Sequence, residues 1–257
     1  MKALLVVSFG TSFAGVAERT IGAIERALAA AFPDRVLYSA WTSKFICAKV
    51  ERETGVHHMQ VEEACAAIAA AGVDDLLVQP TFLMQSHEYE LMLEGVRAAA
   101  GDVAKVRIGD TLLAGDDDCI ALARAIGETL PDVADGDALV LMGHGSDKGN
   151  EVYASMQGAC VATGHGNFIV GTVEGTPDFD DVKAKVAALK PARVWLAPFM
   201  IVAGDHANND LAGDEPDSWK SELEAAGFPC VPVLRGLGEY PQVQELFVEH
   251  ARRALEG

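Results

Sequence analysis

The sequence predicts an α/β protein built from two similar Rossmann-like lobes, each with a parallel sheet and helices on both faces. Three observations predict it. Short runs of Val, Leu and Ile alternate with longer alanine-rich periodic segments, the strand-then-helix rhythm of parallel sheets. Two strand-to-turn segments, "ALLVVSFGTS" from Ala3 and "ALVLMGHGSD" from Ala138, lie on one another along their length. The strands divide four and four around the middle of the chain.

In chain order, "ALLVVSF" (3–9), "RVLYSAW" (35–41), "DLLVQPTFLM" (75–84) and "VRIGDTLL" (106–113) read as the strands of the first half. "ALVLMGH" (138–144), "NFIVGTV" (167–173), "ARVWLAPFMIV" (192–202) and "PCVPVL" (229–234) read as those of the second. Continuous apolar runs, not strict alternation, fit strands buried on both faces. Segments 17–32 and 61–72 read as helices. A second internal match is looser. "QPTFLMQSHEYE" (79–90) is laid on "APFMIVAGDHANN" (197–209) by matching Pro80 to Pro198, which sets Glu88 opposite His206. We therefore expect lobes at about 1–125 and 126–257, related by an approximate two-fold, with a central cleft at the carboxyl ends of the strands. Phe9, Glu88, His144 and His206, read as strand-end residues, are expected to line it.

The 257 residues carry a formal charge of −18. That excess of acid argues against nucleic acid or an anionic membrane as partner, since both require basic surface. No apolar stretch is long enough to span a bilayer, and the first residues lack a signal-peptide cleavage pattern, so a cytoplasmic protein is expected. Five scattered cysteines without a CxxC read as small buried or half-buried thiols.

Of the seven histidines, His57 and His58 read as a solvated helix entry, His165 as a turn residue and His250 as a surface position on the last helix. His144 differs. It follows an apolar strand between Gly143 and Gly145, which allow close approach of backbone or a flat ligand. His206 has the matching place in the second internal copy. Two imidazoles with the carboxylates of Glu88 and Glu174 form a set that can present a divalent first-row metal. By spacing alone, structural hydrogen bonding explains either histidine equally well. Other chemistries lack their motifs: "GHGSDKG" is GxGxxxG and not GxGxxG, "HEYEL" lacks the second histidine of HExxH, and neither a GxSxG elbow nor a Walker loop occurs.

"VAGDHANNDLAGDEPDSWK" (202–220), with "VVSFGTS" (6–12), "MGHGS" (142–146) and "HEYE" (87–90), resembles the anaerobic sirohydrochlorin cobaltochelatases, the CbiK-type class II chelatases. The resemblance runs to "GLGEYPQVQELFVEHARRAL" (236–255). It implies a bilobal chelatase fold and ATP-independent insertion of Co²⁺ into sirohydrochlorin or precorrin-2, with cobalt as substrate metal and no organic cofactor. It also implies metal-handling roles for His144, His206, Glu88 and Glu174, the two histidines and Glu88 being catalytic. His87 departs from the pattern and reads as either an extra metal or haem ligand or a rim residue. Asp205, Asp210 and Asp214 either shape their loop or guide the cation in.

A carboxylate-rich tetrapyrrole is an awkward partner for an acidic chain. Backbone N–H groups and hydroxyls of "SFGTS", with Ser8, Thr11 and Ser12, and of "GHGS", with Ser146, are expected to hold its carboxylates, aided by a helix starting near Ala17. Simple helix capping by the same residues is the competing reading. A chelatase for Ni²⁺ or Fe²⁺ in another tetrapyrrole pathway and a non-catalytic metal or tetrapyrrole binder are the other functions the sequence admits. The composition leaves homo-oligomerisation open.

Overall fold

The computed structural model describes residues 1–13, 15–101, 103–130, 133–146 and 149–257. Asp147 and Lys148 of the "GHGSDKG" stretch lie outside the described residues. All eight expected strands form. They are β1 (Lys2–Ser8), β2 (Val36–Trp41), β3 (Asp75–Pro80), β4 (Lys105–Ile108), β5 (Ala138–Gly143), β6 (Phe168–Thr172), β7 (Val194–Pro198) and β8 (Cys230–Pro232). Among the described residues ten α-helices accompany them: α1 (Val16–Arg19), α2 (Ile21–Ala31), α3 (Lys44–Thr54), α4 (Val61–Ala70), α5 (His87–Ala99), α6 (Asp116–Thr129), α7 (Glu151–Ala162), α8 (Phe179–Leu189), α9 (Trp219–Ala225) and α10 (Pro241–Glu256). None of the described helices is long and apolar enough to cross a membrane.

The chain divides into two compact units, Met1–Ala114 with Val243–Gly257, and Gly115–Gln242. A boundary at 125/126 would cut α6, so the helix starts the second unit instead, and the chain's last residues return to the first. That return explains His250. It is not on the surface: it is buried, and its Nδ1 lies 3.3 Å from the Asp110 carbonyl of the same unit.

The first unit holds a parallel sheet in the order β2-β1-β3-β4, and the second repeats it as β6-β5-β7-β8. The repeat extends to register. Val7 pairs with Pro80 in one sheet, and Met142 with Pro198 in the other. Past the strand ends, Thr81 N–H donates to the Val7 carbonyl at 2.8 Å and Phe199 N–H to that of Met142 at 2.7 Å. Ser43 N–H donates to the Phe9 carbonyl at 3.2 Å, and Glu174 N–H to that of His144 at 2.8 Å. Phe9 and His144 therefore occupy one position of the common plan, and Ser43 and Glu174 another.

The central strands β1 and β5 are apolar and fully buried from Ala3 to Val7 and from Ala138 to Met142. Each such Leu or Val side chain contributes about 1.5–3 kcal/mol of transfer free energy. In the first unit Leu5, Val7, Leu76 and Val78 pack on Ala64, Ile68 and Met92 of the covering helices. In the second, Val140, Met142 and Leu196 pack on Val182, Val186 and Leu223. Four cysteines are buried and Cys230 is half-buried, all as free thiols. Burial pushes the Cys65 and Cys119 thiols up to about 11 and that of Cys160 to about 12.

Candidate active site: a pair of histidines beyond the second sheet

His144 is the first residue after β5, and the chain around it has little freedom. A Cβ on Gly143 would lie 2.3 Å from the buried Tyr153 ring. Gly145 adopts φ 90°, and a Cβ there would lie 2.5 Å from the backbone of Glu174. Its N–H donates to the Tyr153 hydroxyl at 3.1 Å. The glycines thus do what the sequence predicts, with α7 and the β6 exit as the surfaces approached. His144 itself is exposed, and its Nδ1–H donates to the Gly145 carbonyl at 2.9 Å. A carbonyl only accepts, so Nδ1 carries a proton, and in a neutral ring the lone pair is then on Nε2.

His206 lies eight residues beyond β7, at the entrance to a π-helical turn, Ala207–Leu211. It is half-buried, and its Nδ1 lies 2.6 Å from Asp210 Oδ2. The two imidazoles meet edge to face, with centroids 4.7 Å apart and planes at 89°. The two histidines that the sequence analysis sets at separate strand ends and groups as one ligand set stand side by side.

The carboxylates are placed less directly. Glu174 is exposed and tied to His144 through its backbone N–H. Glu88 is not a strand-end residue but the second residue of α5, in the other unit. The α5 first turn suits a carboxylate, because the helix N-terminus is partially positive. Its Oε2 is buried with no hydrogen-bond partner among the described residues. An unpaired buried carboxylate oxygen is costly unless something cationic satisfies it. Its neighbour His87 is exposed. Among the described residues no group of three or more His, Cys, Asp or Glu side chains stands together as a metal cage. The imidazole pair is the assembled part of the expected ligand set.

The proposed carboxylate-binding loops need correction. Ser8 ends β1 almost fully buried, its hydroxyl 2.7 Å from Thr81 Oγ1, so it ties β1 to β3 and does not face a ligand. Thr11 is buried and accepts from Phe13 N–H at 3.2 Å, a local turn. Ser12 is half-buried. The helix expected from Ala17 is broken at Thr20, leaving only the four-residue α1, too short for a substantial dipole. In the second unit, Gly145 N–H is taken by Tyr153 and Ser146 N–H by Asn150 Oδ1 at 3.0 Å. Neither N–H remains for a substrate carboxylate.

The other histidines are accounted for locally. His57 lies within hydrogen-bond reach of Glu63, whose carboxylate raises its pKa. His58 stacks on Trp41 at 3.5 Å, and burial lowers its pKa. His165 sits in a turn stacked on Phe168.

The family model described as cobalt chelatase (CbiK) matches residues 2–256. The chain belongs to the cobalt chelatase family. This chelatase is 37% identical over 255 residues to the sirohydrochlorin cobaltochelatase of Salmonella typhimurium, covering 99% of this chain and 96% of that protein. It is 34% identical over 181 residues to the sirohydrochlorin cobaltochelatase CbiKC of Nitratidesulfovibrio vulgaris, covering 69% of this chain and 64% of that one. Among solved structures, SirB from Bacillus subtilis with Fe³⁺ superposes with a TM-score of 0.68 at 14% identity, over 99% of this chain and 96% of that chain. CbiX, described as the terminal enzyme of siroheme biosynthesis in denitrifying bacteria, gives 0.55 at 18% identity, over 98% and 99%. At those identities the likeness is one of fold, and it agrees with the two parallel four-stranded sheets of the chelatase.

One residue of the site escaped sequence reading, and another was read without its partner. Tyr153, which fixes the His144 loop, sits on α7 with nothing in its local pattern to mark it. Asp210 was visible only as one aspartate among several, although His206 and Asp210 stand four residues apart, a helical spacing.

Proposed function

We propose that the chain inserts Co²⁺ into a sirohydrochlorin-type tetrapyrrole without ATP. The observation that carries this reading, in a member of the cobalt chelatase family, is the His144–His206 pair, whose rings meet edge to face with each Nδ1 held by an oxygen. Two neutral imidazoles hold a divalent first-row ion and leave coordination positions open for ring nitrogens. Insertion exchanges two pyrrole N–H protons for one dication. The metal passes from protein to ring nitrogens, and each imidazole it vacates becomes a base able to take a pyrrole proton. No redox change and no phosphoryl transfer enters this balance.

Glu88 is assigned a metal-handling carboxylate on the strength of its unpaired buried Oε2 and its place opposite His206 in the internal repeat. Glu174, beside His144, is assigned as the further carboxylate. Ser12, half-buried, remains the hydroxyl assigned to a substrate carboxylate. The cytoplasm is assigned as the reaction's setting.

Imidazole and carboxylate ligands do not choose sharply among Co²⁺, Ni²⁺ and Fe²⁺, so the metal is decided by experiment. Purified protein is mixed with sirohydrochlorin and each ion in turn under anaerobic conditions, and metallation is followed by absorbance. Catalysed insertion fastest with Co²⁺, and reduced to the uncatalysed rate in His144→Ala and His206→Ala, supports the reading. Faster insertion of Ni²⁺ or Fe²⁺ changes the metal, and stoichiometric binding without rate enhancement replaces the enzyme with a binding protein.

A further inference from the structure

His144 and His206 are oriented by different partners. His144 Nδ1 is held by a neutral acceptor, the carbonyl of the next residue, at 2.9 Å. His206 Nδ1 is held by a carboxylate, Asp210 Oδ2, at the shorter distance of 2.6 Å. The other nearby aspartates are occupied elsewhere: Asp205 accepts from Asn209 Nδ2 at 2.9 Å and Asp214 from Lys220 Nζ at 2.6 Å. The backbone between His206 and Asp210 is also unusual. The π-helical turn Ala207–Leu211 starts directly after His206, and such turns are rare and recur at functional sites.

We propose that Asp210 is a positioning residue for metal handling: by holding His206 Nδ1–H it aims the Nε2 lone pair and makes His206 the stronger ligand of the pair. The proposal rests on the reading of the two histidines as the metal-presenting group. The physical reason is that a carboxylate behind an imidazole fixes the ring's tautomer and orientation and increases the donor strength of the opposite nitrogen, which a backbone carbonyl does more weakly. The ion therefore rests mainly on His206, while His144 is the more easily displaced of the two as ring nitrogens replace protein ligands. This division of labour assigns to each histidine a part that the fold repeat alone does not distinguish.

The test uses Co²⁺ alone, titrated onto the full chain without tetrapyrrole, in wild type, His206→Ala, His144→Ala, Asp210→Ala and Asp210→Glu. Long-range ¹H–¹⁵N NMR reads the protonated nitrogen of His206. Asp210→Ala is expected to weaken Co²⁺ binding about 10–100-fold and to move part of the His206 proton to Nε2. Asp210→Glu should restore most of the affinity, and His144→Ala should cost less than His206→Ala. A loop-shaping role alone would lower the melting temperature of Asp210→Ala and leave both Co²⁺ affinity and tautomer unchanged. That result overturns the proposal while leaving the histidine pair as metal site. A larger loss in His144→Ala than in His206→Ala overturns the ranking. Unchanged binding in His206→Ala removes the metal site and, with it, the proposal.

Discussion

Replacing Gly145 by alanine tests whether backbone packing sets the position of His144. The added Cβ would meet the Glu174 carbonyl carbon and oxygen at 2.5 Å and the Gly175 nitrogen at 2.8 Å. Ordinary contact begins at 3.4 Å, so one of the two chains must move by about 0.9 Å. Neither neighbour is the end of a flexible side chain. The moving segment also carries the 2.8 Å bond from Glu174 N–H to the His144 carbonyl. Two costs add: about 1–2 kcal/mol for an L-residue in the left-handed region, and about 1–3 kcal/mol for overpacking. Gly164→Ala separates them. It has φ 89° against 90° at Gly145 and lies in the same unit, yet its Cβ would meet nothing within 4 Å. In urea unfolding, Gly145→Ala should be less stable than Gly164→Ala by the overpacking cost alone. In the metallation assay, a displacement approaching 1 Å of a metal-presenting group should lower kcat by up to about 10²-fold, whereas Gly164→Ala should turn over like wild type. Equal stability of the two variants together with wild-type turnover in Gly145→Ala would refute the reasoning.

Three further predictions concern Asp137, Ser8 and Ser12. The Trp195 indole N–H at 3.0 Å, and against burial the Arg193 guanidinium at 2.8 Å, hold the Asp137 carboxyl below its ordinary value. Because the folded pKa is the lower one, its stabilisation is complete above the unfolded value of about 3.9 and is lost as pH falls through the folded pKa. Asp137→Asn should therefore lower stability at pH 7 and flatten the acid limb of a melting-temperature profile below about pH 4; parallel wild-type and variant profiles would contradict this. Ser8→Ala should leave the KM for tetrapyrrole unchanged and cost about 1 kcal/mol of stability through the lost bond to Thr81, whereas Ser12→Ala should raise that KM without altering metal dependence. A raised KM in Ser8→Ala would return Ser8 to the substrate.

The sheets were legible because Val, Leu and Ile concentrate where strands are buried on both faces. Strand ends were not, and the reason is visible in the read 75–84 and 192–202. Phe82 and Met84 are buried beyond the end of β3, and Phe199 beyond the end of β7, so the apolar run continues where the ladder stops. Hydrophobicity reports burial, and here buried loops extend it past the strand. The internal repeat was readable from Ala3 against Ala138 and Pro80 against Pro198, and both alignments agree with the observed register. Single-residue environments were less accessible. His250 lies on a helix whose buried face is fixed by the return of the chain to the first unit, a long-range fact absent from local pattern. The orientation of His206 depends on a π-helical turn, for which an aspartate-rich loop offers no periodic signal.

The matched ladders also have a consequence for protein engineering. Each sheet provides the same set of addresses, so a side chain can be transplanted from one to the other by register alone. The Phe9 address corresponds to that of His144 and the Ser43 address to that of Glu174. Histidine at position 9 and glutamate at position 43 would reproduce in the first sheet the backbone setting from which the second presents its imidazole. The duplicated frame thus offers a vacant second copy of the site's foundations, already wired by the same hydrogen bonds, in which new ligand sets can be written without redesigning a strand.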